Sequence, residues 1–242
     1  MKGILASAGT VLTGGASWQN GHLPDAFVEA VTRSYGGTRM AREEIEGVLL
    51  EDAEGSLWPA ALIERARGPA PGADDLRRVV IGVDPPASAQ GTCGIVACGL
   101  DAAGVGHVLE DRSASGLSPE GWARRVAATA EAHGADRVVA EKNQGGDMVR
   151  AVLRAAGLSL PLTLVNASRG KVARAEPVAG LFEAGRARLA GRFPRLEEEL
   201  AGMIAGGAYA GPGRSPDRAD AMVWALWALL IAPRAQPRVW VT

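Results

Sequence analysis

Lysine is nearly missing from this chain. Of its 26 basic residues only Lys2, Lys142 and Lys171 are lysines. The arginine excess, with abundant Gly and Ala, reads as codon composition rather than as a functional signal. Cysteine is equally scarce: Cys93 and Cys98 lie in one predicted strand, which excludes a disulfide framework. The three histidines, His22, His107 and His133, are too scattered for a zinc site or a catalytic role. No stretch of 18 apolar residues lacks a charge, which excludes a membrane-spanning helix. Lys2 is followed by no sustained apolar region, so a secretory leader is not expected and a cytoplasmic protein is. The net charge of −1 neither announces nor excludes a nucleic-acid partner. What is present is ordinary: 242 residues, 47% hydrophobic and 22% charged, enough to bury a real core.

The Gly68-Pro69-Ala70-Pro71-Gly72 stretch reads as a loop or linker and divides the chain into residues 1–75 and 76–242. Before it, residues 24–34 and 58–67 carry helical periodicity, and no catalytic constellation appears. After it the pattern sharpens. Residues 78–84 form a short, nearly continuous apolar run, as in a strand buried on both faces. Strands over 92–100 and 106–112 follow. A helix over 118–132 has Ser118 as its N-cap, Pro119 at its first position and Trp122, Val126 and Ala130 on one face. Then come a strand at 136–141, a helix at 146–156, a strand at 161–165, and helices at 172–185, 194–205 and 216–232. Three strands followed by β/α alternation predict an α/β fold, a mixed sheet covered by helices, after a mostly helical N-terminal segment.

Two of the strands end in acids, Asp84 and Glu141, and the carboxyl ends of strands line the ligand crevice of an open α/β sheet. A third element, Ser215-Pro216-Asp217-Arg218-Ala219-Asp220-Ala221, opens an apolar helix; Asp217 and Asp220, three apart, face one side of its first turn. Each acid alone has a plain explanation, a solvated strand end or a helix cap. Together they form a set of hard oxygen donors suited to Mg²⁺ or Mn²⁺. Such a set suits a pair of ions about 3.5–4 Å apart. Asp84, Glu141 and Asp220 hold the ions, Asp84 as the bridging ligand, and Asp217 is auxiliary. Lys142, Arg169, Lys171, Arg174, Arg214 and Arg218 flank the acids in sequence and are candidate contacts to DNA phosphates, Lys171 and Arg174 foremost. Trp224 and Trp227, on a strongly apolar helix, read as core; Phe182 and Phe193 read as packing, and Gly145-Gly146 as a turn or loop.

The stretches Val79–Pro86, Ala140–Asp147, Ser168–Pro177 and Ser215–Leu226 resemble the nuclease domain of the large terminase subunit of tailed phages and gene transfer agents. Upstream, Tyr35–Arg39 and Gly55–Trp58 are similar to that family's segment joining motor and nuclease. The resemblance implies a ribonuclease-H-like fold and metal-dependent cutting of concatemeric double-stranded DNA during packaging in the bacterial host cell. It implies as partners an ATPase motor, a small terminase subunit and a portal. The phosphate-binding loop G-x-x-x-x-G-K-[ST] of the motor does not occur here, so the chain is expected to be the nuclease half and not to hydrolyse ATP alone. Another ribonuclease-H-like nuclease, such as a junction resolvase, is the nearest competing reading; a non-catalytic docking module is the other. A nucleotide-binding α/β protein fits poorly, because Pro85-Pro86 follows Asp84 where a glycine-rich loop would stand.

Overall fold

A computed structural model describes residues 15–17, 20, 22–27, 29–30, 52–142, 146–166 and 171–232, without the side chains of 171–173. The chain divides into two units, Met1–Glu51 and Asp52–Thr242. In the first, residues 25–27 and 29–30 are helical, within the helix expected over 24–34; Tyr35–Arg39 lies outside the described residues.

The division expected at residue 75 falls inside the second unit. There helix α1 (Ala60–Ala66) buries Leu62, Ile63 and Ala66. Trp58, just before it, meets Phe182 edge to face with ring centroids 6.0 Å apart. All of these belong to one hydrophobic cluster of the core, so residues 58–66 are core-forming.

The unit is built on β1 (Leu76–Asp84), β2 (Thr92–Asp101), β3 (Gly106–Asp111), β4 (Ala114–Ser115), β5 (Arg137–Glu141), β6 (Leu162–Val165) and β7 (Ala187–Leu189). Their order is β6-β5-β1-β2-β3-β7, with β4 paired to β2 off this path. The β1–β2 and β2–β3 pairs are antiparallel; β1–β5, β5–β6 and β3–β7 are parallel. The mixed sheet expected from the strand pattern is thus present. β4 and β7, of two and three residues, are too short to leave a periodic signal.

Helices cover both faces: α2 (Pro119–Ala132), α3 (Gly146–Ala155), α4 (Lys171–Glu183), α5 (Pro194–Ala201) and α6 (Asp217–Leu226), the last continued by a π-helical turn over Trp227–Ile231. As its sequence predicts, α2 opens on Ser118, whose hydroxyl accepts the Gly121 N–H at 3.1 Å, and buries Trp122, Val126 and Ala130. Among the described residues no helix is long and apolar enough to cross a membrane.

Strand alternation sorts the central side chains between the two faces. Ile81, Val83, Val138 and Ala140 pack in one cluster with Trp122 and Val126 of α2 and Val149 and Leu153 of α3. Val80, Val96 and Val139 pack in the other with α4, α5 and α6. By the same alternation Asp84 and Glu141, two residues on from Gly82 and Val139, lie on the α6 side.

That side has no room to spare. A Cβ at Gly82 would stand 1.9 Å from the Ala221 carbonyl oxygen, and one at Gly94 would stand 1.9 Å from that of Asp217. The backbone of α6 therefore rests directly on β1 and β2. Overpacking a filled core commonly costs about 1–3 kcal/mol, and here the clash is with backbone, which cannot rotate away. Gly94→Ala is therefore expected to lower the unfolding free energy by about 3 kcal/mol or more in guanidinium titration, the helix being forced off the sheet.

Candidate active site

In the parallel β1–β5 ladder Val83 pairs with Ala140. Asp84 and Glu141 are the next residues on neighbouring strands, whose backbones run about 4.8 Å apart. Across the antiparallel β1–β2 ladder Asp84 pairs with Gly94, and Gly94 is the glycine on which the Asp217 carbonyl rests. Asp220 follows one turn later on α6. These contacts bring Asp84, Glu141 and the first turn of α6, which carries Asp217 and Asp220, to the carboxyl ends of β1 and β5. Asp84 and Glu141 are 3% exposed and Asp220 2%. Asp217 is half-buried. β1 runs between β5 and β2, so Asp84 occupies the central strand expected of it. Burial pushes the Cys93 thiol far up from its ordinary range, and the carboxylates of Asp84 and Asp217 both add to that rise while Arg125 opposes it. One thiol feels both charges, as their common location requires.

Buried carboxylates are tolerated only with compensation. Glu141 has it: the Trp224 indole N–H donates to its Oε2 at 3.0 Å. Arg174 Nη2 stands 3.8 Å from the same oxygen. The Arg174 guanidinium lies over the Trp224 ring, Cζ 4.0 Å from the centroid. Among the described residues no group of three or more His, Cys, Asp or Glu stands as a formed metal-ligand cluster. Glu141 instead points one oxygen at Trp224 and Arg174. The donor set, all carboxylate and largely buried, fits a hard divalent cation in its chemistry.

The first turn of α6 is held by an acid the sequence did not single out. Glu199 on α5 accepts the backbone N–H of Arg218 (2.7 Å) and of Ala219 (3.1 Å) and pairs with the Arg218 guanidinium at 2.8 Å. These are N–H groups that a helix leaves open at its start. With Glu199 on them, helix capping is not what Asp217 and Asp220 are needed for. Burial pushes the Glu199 carboxyl up to about 7, against Arg218 and the two N–H groups, which pull it down.

The proposed phosphate contacts separate into groups. Lys142 and Arg214 are exposed, one directly after Glu141 and the other three residues before Asp217. Arg174 and Arg218 are not on the surface. Arg174 is 5% exposed and turned to Glu141, and the Arg218 side chain is 11% exposed, paired with Glu199 and, at 3.2 Å, with Asp111. A guanidinium committed to buried carboxylates and shielded from solvent does not meet a DNA backbone, so these two are corrected to internal roles. Arg169 and Asn143–Gly145 lie outside the described residues, as does the side chain of Lys171. Trp224, read from sequence as core alone, is also a site residue. The spacing held the clue, since Trp224 is four residues past Asp220 and seven past Asp217, on one helix face. Glu199 and Asp111 left no such signal; their partners are set by tertiary packing.

A family model described as the terminase RNaseH-like domain matches residues 81–229. The chain belongs to this terminase family. Its fold is that of large terminase nuclease domains. The large terminase nuclease of thermophilic phage G20c with bound magnesium is 21% identical, with TM-score 0.53 over 72% of this chain and 97% of that one. The nuclease domain of the large terminase subunit of bacterial virus Sf6 is 14% identical, with TM-score 0.53 over 74% and 99%. The bacteriophage HK97 large terminase is 16% identical, with TM-score 0.55 over 72% of this chain and 43% of that longer one. No curated protein sequence matches the chain.

Removing one partner of a buried ion pair costs roughly 3–5 kcal/mol, because the other charge is left without compensation. In this terminase domain Glu199→Ala also uncaps α6. Equilibrium urea unfolding is expected to show a loss in that range, with Arg218→Met, which removes the charge along with its partner's need, recovering part of it in the double variant.

Proposed function

We propose that this terminase domain is a metal-dependent endonuclease that cuts concatemeric double-stranded DNA during phage-type genome packaging in the cytoplasm of a bacterial host. The observation that supports this reading most is the burial of Asp84 and Glu141 at the carboxyl ends of β1 and β5 and of Asp220 in the first turn of α6, which packs on β1 and β2. Three acids withdrawn from water at one point are costly without a cation, and they have oxygen donors only. Asp84, Glu141, Asp217 and Asp220 would hold two Mg²⁺ or Mn²⁺ ions. What such ions supply is activation of water and neutralisation of charge developing on the phosphate.

The chain's own residues set the frame. Asp84 sits centrally, between Glu141 on β5 and the α6 turn that carries Asp217 and Asp220. Trp224 and Arg174 orient Glu141. Lys142 and Arg214 hold the DNA backbone without reading bases, with Lys171 and Arg169 completing that set. The partners are double-stranded DNA and, as the family suggests, an ATPase motor, a small terminase subunit and a portal. A position at the strand ends of a rigid sheet suits acids that must keep a fixed geometry.

Plasmid incubated with the protein and Mn²⁺ or Mg²⁺ is expected to be linearised and then degraded, and to survive in EDTA. Asp84→Asn, which keeps the shape and removes the charge, is expected to cut at least about 100-fold more slowly, since even residues that only orient metal ligands cost 10–100-fold. Faster cutting of a four-way junction than of linear duplex would favour a resolvase instead. No cutting with any metal would favour a docking module.

Each lost phosphate contact lowers the salt dependence of duplex binding by about 0.9 in the slope of log K against log salt. The Lys142→Ala, Arg214→Ala double variant is expected to bind duplex DNA more weakly with a slope shallower by about 1–2, measured by fluorescence anisotropy from 50 to 200 mM salt. An unchanged slope would place the DNA elsewhere.

A further inference from the structure

The Arg174–Trp224–Glu141 group is organised more closely than packing alone demands. The guanidinium is held on three sides. Its Nη1 donates to the Asn166 carbonyl at 3.4 Å, its Cζ lies over the Trp224 ring 4.0 Å from the centroid, and its Nη2 faces Glu141 Oε2 at 3.8 Å. Nη2 makes no hydrogen bond. Its relation to Glu141 is thus charge facing charge, without the short contact of a closed salt bridge. The short contact to that oxygen is the indole N–H, at 3.0 Å. All three residues are 5% exposed or less, so solvent screens little of this. They come from three separate elements, β5, α4 and α6, which meet only because the fold brings them there.

We propose that Trp224 and Arg174 are a two-part positioning device for Glu141. Trp224 fixes one carboxylate oxygen through its N–H, and Arg174 is the resident positive charge that balances Glu141 until a divalent cation takes over that task. This rests on the metal-dependent reading given above. The two parts have opposite consequences. The donor pre-aligns Glu141 and favours ion binding. The guanidinium competes with the ion for the same carboxylate and opposes binding, while stabilising the protein without metal. Arg suits the second task better than Lys, because a planar guanidinium can stack on the indole and still present a charge sideways to the carboxylate.

The test is Mn²⁺ titration of the full chain by calorimetry, with thermal unfolding of the same samples with and without Mn²⁺. Trp224→Phe keeps the ring and removes the donor; it is expected to weaken Mn²⁺ binding about 10-fold, in the range of other groups that orient metal ligands. Arg174→Met keeps the bulk and removes the charge. It is expected to lower the melting temperature without metal, to tighten Mn²⁺ binding at least about threefold, and to show a larger rise in melting temperature on adding Mn²⁺. Arg174→Lys, which retains the charge, is expected to return the Mn²⁺ affinity towards wild type. A purely structural pair would lower the melting temperature and leave the Mn²⁺ affinity of both variants at the wild-type value; that result overturns the inference. If Arg174→Met does not fold, the Trp224→Phe titration decides alone. A wild-type protein that takes up no Mn²⁺ would instead sink the metal-dependent reading, and this inference with it.

Discussion

The closeness of α6 to the sheet is the constraint on which the rest depends. A helix normally stands off a sheet by the length of the side chains between them. Here Gly82 and Gly94 remove those side chains, and the carbonyls of Ala221 and Asp217 occupy the space where Cβ atoms would be. Ala221 and Ala225, with their single methyl groups, complete the contact. Lowering the helix by that amount is what carries its first turn down to the ends of β1 and β5. With larger residues at either glycine, Asp217 and Asp220 would ride farther above Asp84 and Glu141.

Bringing acids together in a buried place creates an electrostatic problem that two neighbouring networks address. On one flank Glu199, Arg218 and Asp111 anchor the start of α6, tying it to α5 and to the end of β3. On the other, Arg174 and Trp224 tie Glu141 to α4 and α6. Both networks use an arginine that is largely withdrawn from solvent, and both take a residue from α6. The helix is thereby fixed in translation by the glycines and at its start by Glu199. The acids inherit that rigidity.

Much of this was legible in the sequence. Short apolar runs ending in acids pointed to β1 and β5, and the Asp-x-x-Asp stretch to the start of α6. The mixed sheet followed from three strands ahead of β/α alternation. The division of the chain was less legible: Gly68-Pro69-Ala70-Pro71-Gly72 does mark a loop, but Trp58, Leu62 and Ile63 ahead of it pack in the core, and a loop composition says nothing about what lies on its two sides. The basic residues were hardest. An arginine beside an acidic motif looks the same in sequence whether it faces DNA or an internal carboxylate. Only the fold distinguishes Arg214, exposed, from Arg218, four residues later and paired with Glu199 and Asp111. Glu199 was invisible for the same reason, since its partners lie 19 and 20 residues away and on another helix.

The α6 sequence shows why one short helix can carry three tasks without conflict. At 3.6 residues per turn each step rotates about 100°. Asp217, Trp224 and Asp220 then fall within an arc of about 60°, which faces the strand ends and Glu141. Ala221 and Ala225 occupy the next sector, turned to Gly82 and Gly94, and Arg218 follows beyond them, turned to Glu199 and Asp111. The sectors differ in side-chain size and charge: acids and an indole donor, then bare methyls, then a guanidinium. The small sector lies between the two charged ones, so the close contact with the sheet is flanked by the interactions that need a fixed distance. A change to Ala221 would therefore disturb the acid site and the Arg218 anchor together, although it belongs to neither. The identity of an alanine in the middle of this motif is thus a requirement of the close contact between α6 and the sheet.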